Sequence, residues 1–273
     1  MFNISTSASR QLSQTFGIIV AVGITFLLLV ALPLLAMPLQ LSNDESGDEA
    51  TALPLISPVM GLDLKSAPTG PDDVLDKLRR GFELQYIDNH RIEVERKWFL
   101  KHPDYLNRVF IRAQLYLPYI VAELERRGLP LELALLPIVE SAYDPFAYSH
   151  GRAAGLWQII PGTAKRFGIK QNWWYDGRRD VVDSTRAALD YLEYLKNFNN
   201  NDWLNAIASY NSGEGNVRKS VRRNTKANKP IDFWNLKLPR ETSMYVPKLL
   251  ALVEIVADPG KYNVTLPLVV NEP

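Results

Sequence analysis

The chain contains no cysteine, and only three of its 273 residues are histidine: His90, His102 and His150. The absence of cysteine excludes disulfides, thiol nucleophiles, thiolate zinc sites and a lipid-modified N-terminal cysteine. The histidines are scattered, and no H-E-x-x-H pair, G-x-S-x-G elbow or Walker loop occurs. No metal and no cofactor is therefore expected. Excess charge of one sign is also missing, since 31 Lys+Arg face 30 Asp+Glu for a net charge of +1. That balance argues against a dedicated nucleic-acid binder, whose footprint is strongly basic. Sustained period-2 alternation, the signature of half-buried strands, is lacking too. The expected fold class is all-α.

What the N-terminus has is a long apolar run. Residues 11–43 carry no charge, and residues 16–37 are almost wholly apolar. As a helix that run spans about 33 Å at ~1.5 Å per residue, the thickness of a bilayer's hydrocarbon core. Arg10 precedes it, while Asp44, Glu45, Asp48 and Glu49 follow. The arginine places residues 1–15 in the cytoplasm and the remainder of the chain outside. Residues 16–38 thus read as a transmembrane or signal helix. An uncleaved anchor is favoured over a cleaved signal, because no small-x-small site follows and the run exceeds a usual signal core. Residues 39–72, with Pro54, Pro58, Pro68 and Pro71 and no periodicity, read as a linker.

Residues 73–273 read as one helical domain. Asp104 is expected to cap a long helix running to Arg127, kinked at Pro118 and closed by Gly128. Pro161 opens a short helix that Gly168 ends, and Ser184 and Asp202 each cap a further one. Trp203, Ile207 and Tyr210 share a face of the helix after Asp202. A last helix is expected from about Glu241 to Ala257.

One carboxylate stands out. Residues 131–141 are apolar apart from Glu132, Glu140 and Ser141. Glu132 falls near the start of a helix, where the dipole favours an anion, and is expected to face solvent. Glu140 comes at the far end, where no dipole supports it. A carboxyl group held against apolar walls loses hydration, its pKa rises, and it can serve as a general acid near neutral pH. The bland alternative is a glutamate at a helix end that reaches water or pairs with a nearby arginine.

The residues around Glu140 favour the first reading. Glu140-Ser141 through Ser149 fits E-S-x(3)-P-x-A-x-S, and residues 153–161 fit A-x-G-L-x-Q-I-x-P. Residues 208–213 fit A-x-Y-N-x-G, and residues 241–246 fit E-T-x-x-Y-V. In this order the blocks resemble the lytic murein transglycosylases with a goose-lysozyme-like (SLT) catalytic domain, most of all the membrane-bound D type. The resemblance covers roughly residues 85–265 and implies a lysozyme-like helical domain. It places Glu140 on the catalytic acid/base and Ser149, Gln158, Tyr210, Asn211 and Tyr245 on the saccharide groove. Tyr210, which shares a face with Trp203 and Ile207, is also open to a core role. Glu241 falls in the groove-closing block, as a helix cap or structural partner. Gly155 and Gly213 are expected to supply backbone freedom rather than contacts.

The resemblance further implies cleavage of the β-1,4 bond between N-acetylmuramic acid and N-acetylglucosamine in peptidoglycan, with 1,6-anhydromuramic ends. The alternatives are a hydrolytic muramidase, which needs a second carboxylate, and a non-catalytic peptidoglycan-binding scaffold. Asp144 is the carboxylate nearest Glu140 in sequence, yet Pro145 after it points to a turn. The implied partners are peptidoglycan strands and, through the N-terminal helix, the inner membrane, with the catalytic domain in the periplasm. The D type normally carries a lipid on cysteine and C-terminal LysM repeats. Neither is present in this sequence, so anchoring is expected from residues 16–38 and wall affinity from the domain or a partner. A basic stretch from Arg218 to Arg240 reads as a solvated face or an attractor of acidic stem peptides.

Overall fold

Side-chain caps and chain-breaking prolines divide the domain into helices. The computed structural model describes residues 73–84 and 87–271. The segments expected at 1–15, 16–38 and 39–72 lie outside the described residues. No helix among the described residues is long and apolar enough to cross a membrane.

Helix α1 (Val74–Arg80) is capped by Asp73 and α2 (His90–Lys101) by Asn89, each side chain accepting from a main-chain N–H two residues on. The helix expected over 104–127 is instead two, α3 (Pro103–Ala113) and α4 (Leu117–Arg127). Pro103 opens the first, so Asp104 sits inside its first turn rather than at the cap. Pro118 lacks the N–H that would bond Gln114 and forces an interruption one turn upstream instead of a kink. Gly128 closes α4 in the left-handed region at φ 61°. A 3-10 segment (Leu131–Leu135) runs into α5 (Leu136–Ser141).

After a long loop come α6 (Pro161–Arg166), α7 (Val181–Phe198), α8 (Trp203–Ser212), α9 (Glu214–Lys226) and α10 (Arg240–Ala257). Asp180, not Ser184, caps α7, since Val181 and Val182 extend it by a turn and bury Ser184 inside. Asp202 caps α8 as expected, accepting from Asn205 N. Short 3-10 turns follow α9 (Phe233–Asn235) and α10 (Gly260–Tyr262). No strand forms among the described residues; Asp73 and Val270 make an isolated bridge that ties the two ends of the domain. The class is all-α.

Helix α10 runs through the middle. Ten of its side chains, from Thr242 to Val256, are buried, as for a helix apolar on most sides. It packs against α2, α8, α5 and α1. Pro247 within it cannot donate to the Ser243 carbonyl, and Arg91 of α2 donates there instead at 3.3 Å. This helix brings the C-terminal motif onto α5.

Candidate active site

The site starts from α5. Every residue from Leu131 to Ile138 is buried, so the short helix is held on apolar side chains with Glu140 in its last turn. The chain then reverses through Ala142 and Tyr143, both in the left-handed region at φ 52° and 59° although neither is glycine. Tyr143 is buried and its hydroxyl donates to the Ala134 carbonyl at 2.6 Å, which fixes the reversal. Ser141 Oγ donates to the Leu156 carbonyl at 2.9 Å and joins α5 to the following loop. Ser141 is a fixed position of the E-S block, but the motif by itself assigns it no such role.

Glu140 is half-buried, and its Oε1 accepts a hydrogen bond from the Tyr245 hydroxyl of α10. It takes part in no salt bridge among the described residues, so the arginine-paired alternative does not hold. Loss of hydration pushes its carboxyl up from 4.5 to about 7. The Tyr245 hydrogen bond opposes that rise, Glu241 adds to it, and Lys248 pulls the other way. The negative end of α5 also disfavours an anion there. The Tyr245 and Tyr210 hydroxyls are driven well above the ordinary phenol range, chiefly by burial. Both therefore remain protonated donors.

Glu132 corrects the sequence reading. It is fully buried, and its Oε1 accepts the main-chain N–H groups of Glu83 and Leu84, each at 2.6 Å. Its other oxygen is buried with no hydrogen-bond partner among the described residues. Burial raises its pKa, opposed by those main-chain bonds. Donors from nearly fifty residues earlier, invisible to local spacing, outweigh the pull of the dipole and turn the carboxyl inward.

The loop after α5 is built by its own polar groups. Asp144 Oδ1 accepts from Phe146 N at 2.9 Å, the turn-forming use expected of it. Ser149 Oγ accepts from Ala153 N at 3.0 Å. Gln158, at φ 45°, donates from Nε2 to the carbonyls of Ala147 and Gly155. Gly155 does more than lend backbone freedom: at φ 81° a Cβ there would lie 1.8 Å from the Arg178 carbonyl oxygen. Gly213, at φ 82°, meets nothing within 4 Å and does supply freedom, between α8 and α9.

Buried Arg178 completes the support. Its Nη1 donates to the carbonyls of Arg152 and Ile159, and its Nε and Nη2 grip Asp176. No sequence motif marked this residue. From α8, Tyr210 donates to the Trp157 carbonyl at 2.8 Å and packs on Tyr191, 5.4 Å between centroids. Asn211 beside it is half-exposed. Glu241 is not the cap of α10, where Pro239 stands; it is exposed in the first turn, close enough to act electrostatically on Glu140. Glu140, Tyr210, Glu241, Tyr245 and Lys248 thus share one electrostatic neighbourhood. Ser149 and Gln158 belong to the loop that Ser141 and Tyr210 hold against it. A carboxyl group near pKa 7, beside a permanent hydroxyl donor, can both give and take a proton at neutral pH.

Known proteins resemble this chain over part of its length. The transglycosylase SLT domain family matches residues 118–233, which include Glu140, Ser149, Gln158, Tyr210 and Asn211 but stop short of Glu241 and Tyr245. Membrane-bound lytic murein transglycosylase D of Escherichia coli (strain K12) is 46% identical over 192 residues, covering 70% of this chain and 42% of that protein. The chain thus spans less than half the length of that relative. A protein of Alteromonas sp. (strain M-1) named for tributyltin chloride resistance is 43% identical over 162 residues, 59% of this chain and 76% of its own. Among solved structures, an inactive mutant of lytic transglycosylase Slt from Pseudomonas aeruginosa aligns with a TM-score of 0.41 at 23% identity, covering 55% of this chain and 25% of that one. On these sequence relatives, the chain belongs to the transglycosylase SLT domain family.

Proposed function

We propose that the protein is a peptidoglycan lytic transglycosylase, cleaving the β-1,4 bond between N-acetylmuramic acid and N-acetylglucosamine. One observation carries this reading: the Glu140 carboxyl, raised to about 7, is bonded to Tyr245 and paired with no cation among the described residues. Protonated Glu140 donates its proton to the glycosidic oxygen as the bond from the muramyl C1 breaks. The substrate's N-acetyl group stabilises the oxocarbenium-like carbon. The Glu140 carboxylate, now an anion held by the Tyr245 hydroxyl, takes the proton of the sugar's own C6 hydroxyl. That oxygen closes on C1, giving a 1,6-anhydro ring and restoring the acid without consuming water.

Asp144, the carboxylate nearest Glu140 in sequence, engages Phe146 N through Oδ1 in a turn, which counts against it as the water-holding second carboxylate of a hydrolase. Ser149, Gln158, Asn211, Tyr210 and Tyr245 line the saccharide groove in this reading. Glu241 closes it and keeps Glu140 protonated, while Gly155 and Gly213 shape its loops. The domain is lysozyme-like, spans residues 73–273, and acts in the periplasm behind the linker and the apolar 16–38 segment anchored in the inner membrane. The names of the transglycosylase relatives support the membrane association.

The test is digestion of purified peptidoglycan followed by mass spectrometry of the muropeptides. Anhydro ends, one water lighter than reducing ends, are the expected product. Reducing ends would make the protein a muramidase, and binding without soluble fragments would make it a scaffold.

A further inference from the structure

We propose that Trp173 and Trp174 form a second glycan-binding surface, outside the Glu140 centre, that receives N-acetylhexosamine rings from another stretch of the same polysaccharide. The inference rests on the reading of the chain as a peptidoglycan-acting protein.

Trp173 and Trp174 are 87% and 90% exposed, more than any other large hydrophobic side chain among the described residues. Leaving two indoles in water forgoes the stabilisation that burial would bring, and nothing described in the chain covers them. Nor is their loop slack. Asn172 Oδ1 accepts from both Trp174 N and Tyr175 N at 2.8 Å, and Asn172 N donates to the Tyr175 carbonyl at 2.8 Å. Gln171 Nε2 bonds Asp176 at 3.0 Å, and Gly177 N closes on the Lys170 carbonyl at 3.0 Å. A loop tied in this way presents its side chains with little further ordering cost on binding.

The two rings stand at 90° with centroids 6.3 Å apart, so they make a floor and a wall. Beside them is a surface hollow of about 460 Å³ whose lining includes Asn172, Tyr175, Asp176, Arg179 and Asp180. That size falls within the roughly 300–1,000 Å³ of small-molecule sites. Its chemistry suits a pyranose. An aromatic face covers the apolar C–H side of the ring, while carboxylate, amide and guanidinium groups meet the hydroxyl and N-acetyl groups at its edge. Two aspartates beside Arg179 leave the hollow without the positive excess that an anionic headgroup layer attracts, which argues against a membrane-inserted tryptophan pair. Arg178 ties Asp176 to the carbonyls of Arg152 and Ile159, and Gly155 packs on the Arg178 carbonyl. The shelf and the loop carrying Ser149 and Gln158 therefore belong to one rigid piece.

The test uses the full chain carrying Glu140→Gln, so that substrate is bound and not cut, with and without W173A/W174A. Co-sedimentation with purified peptidoglycan sacculi is expected to weaken at least tenfold in the tryptophan variant, about 1.4 kcal/mol. In the background with Glu140 intact, the ratio of kcat/KM on long strands to that on a short fragment falls likewise. Thermal unfolding should be unchanged, as both rings are exposed. Equal binding to sacculi by the two proteins overturns the proposal. So does a tryptophan-dependent loss of binding to phosphatidylglycerol vesicles with sacculus binding intact, which would make the pair a membrane contact. Failure of the catalytic reading shows separately, as absence of cleavage products from the wild-type digest, and leaves the sacculus comparison in force.

Discussion

Replacing Glu140 by glutamine tests the electrostatics of the site without any substrate. The carboxyl ionises near 4.5 in the unfolded chain and at about 7 in the folded one. Between those values the folded protein binds more protons than the unfolded, so stability falls as pH rises through the window. Below pH 4.5 both states are protonated and the burial penalty is absent. Above pH 7 the folded state carries the full cost of a poorly hydrated anion. At 1.36 kcal/mol per pH unit, the two populations give a penalty growing by roughly 2–3 kcal/mol between pH 5 and pH 8. Glutamine has no charge to bury, so the variant should gain that amount relative to wild type over the interval. For a domain of this size the gain corresponds to roughly 5–10 °C in the difference between the two melting temperatures. Urea unfolding of both proteins at the two pH values measures it directly. If the wild-type and E140Q stability curves run parallel, within about 0.5 kcal/mol, the carboxyl is not raised. The acid role then loses its physical basis. The same substitution should lower turnover of peptidoglycan by about 10²–10⁴.

The Tyr245→Phe variant removes the donor that lowers the Glu140 pKa, so the carboxyl should titrate higher still. Because the acid must be protonated to act, the alkaline limb of kcat/KM should move to higher pH; an unmoved limb contradicts the pairing. Gly155→Ala places a methyl group against the Arg178 carbonyl in a backbone region unfavourable to alanine. It should cost about 3 kcal/mol or more in denaturant unfolding. Glu132→Ala strips the acceptor from Glu83 N and Leu84 N. It should destabilise the domain by about 2–5 kcal/mol, with faster amide exchange at those two positions.

Local signals carried most of the helical layout. Asp202 capped α8 and Gly128 closed α4 where the sequence put them, because both act within a turn of themselves. The last helix begins one residue before its expected start. Errors came where a neighbouring residue competed for the same role. Pro118 divided a helix instead of bending it, and Asp180 displaced Ser184 as a cap. The candidate site was legible through motif residues, yet its electrostatics were only half so. Apolar neighbours of Glu140 announced desolvation, whereas Lys248 and Arg178 came from distant segments that no spacing rule connects. Glu132 shows the same limit from the other side: the partners of its carboxyl were main-chain groups, and these carry no sequence signature.

Tyr245 reaches Glu140 from 105 residues further along the chain. Until Arg240–Ala257 has settled into place, the glutamate therefore lacks both the hydroxyl that would hold its anion and much of the apolar enclosure around it. An incompletely folded chain carries an ordinary hydrated carboxyl group at position 140. On the proposed reading of Glu140 as the acid, its competence arrives only with completion of the fold, when the last long helix delivers Tyr245.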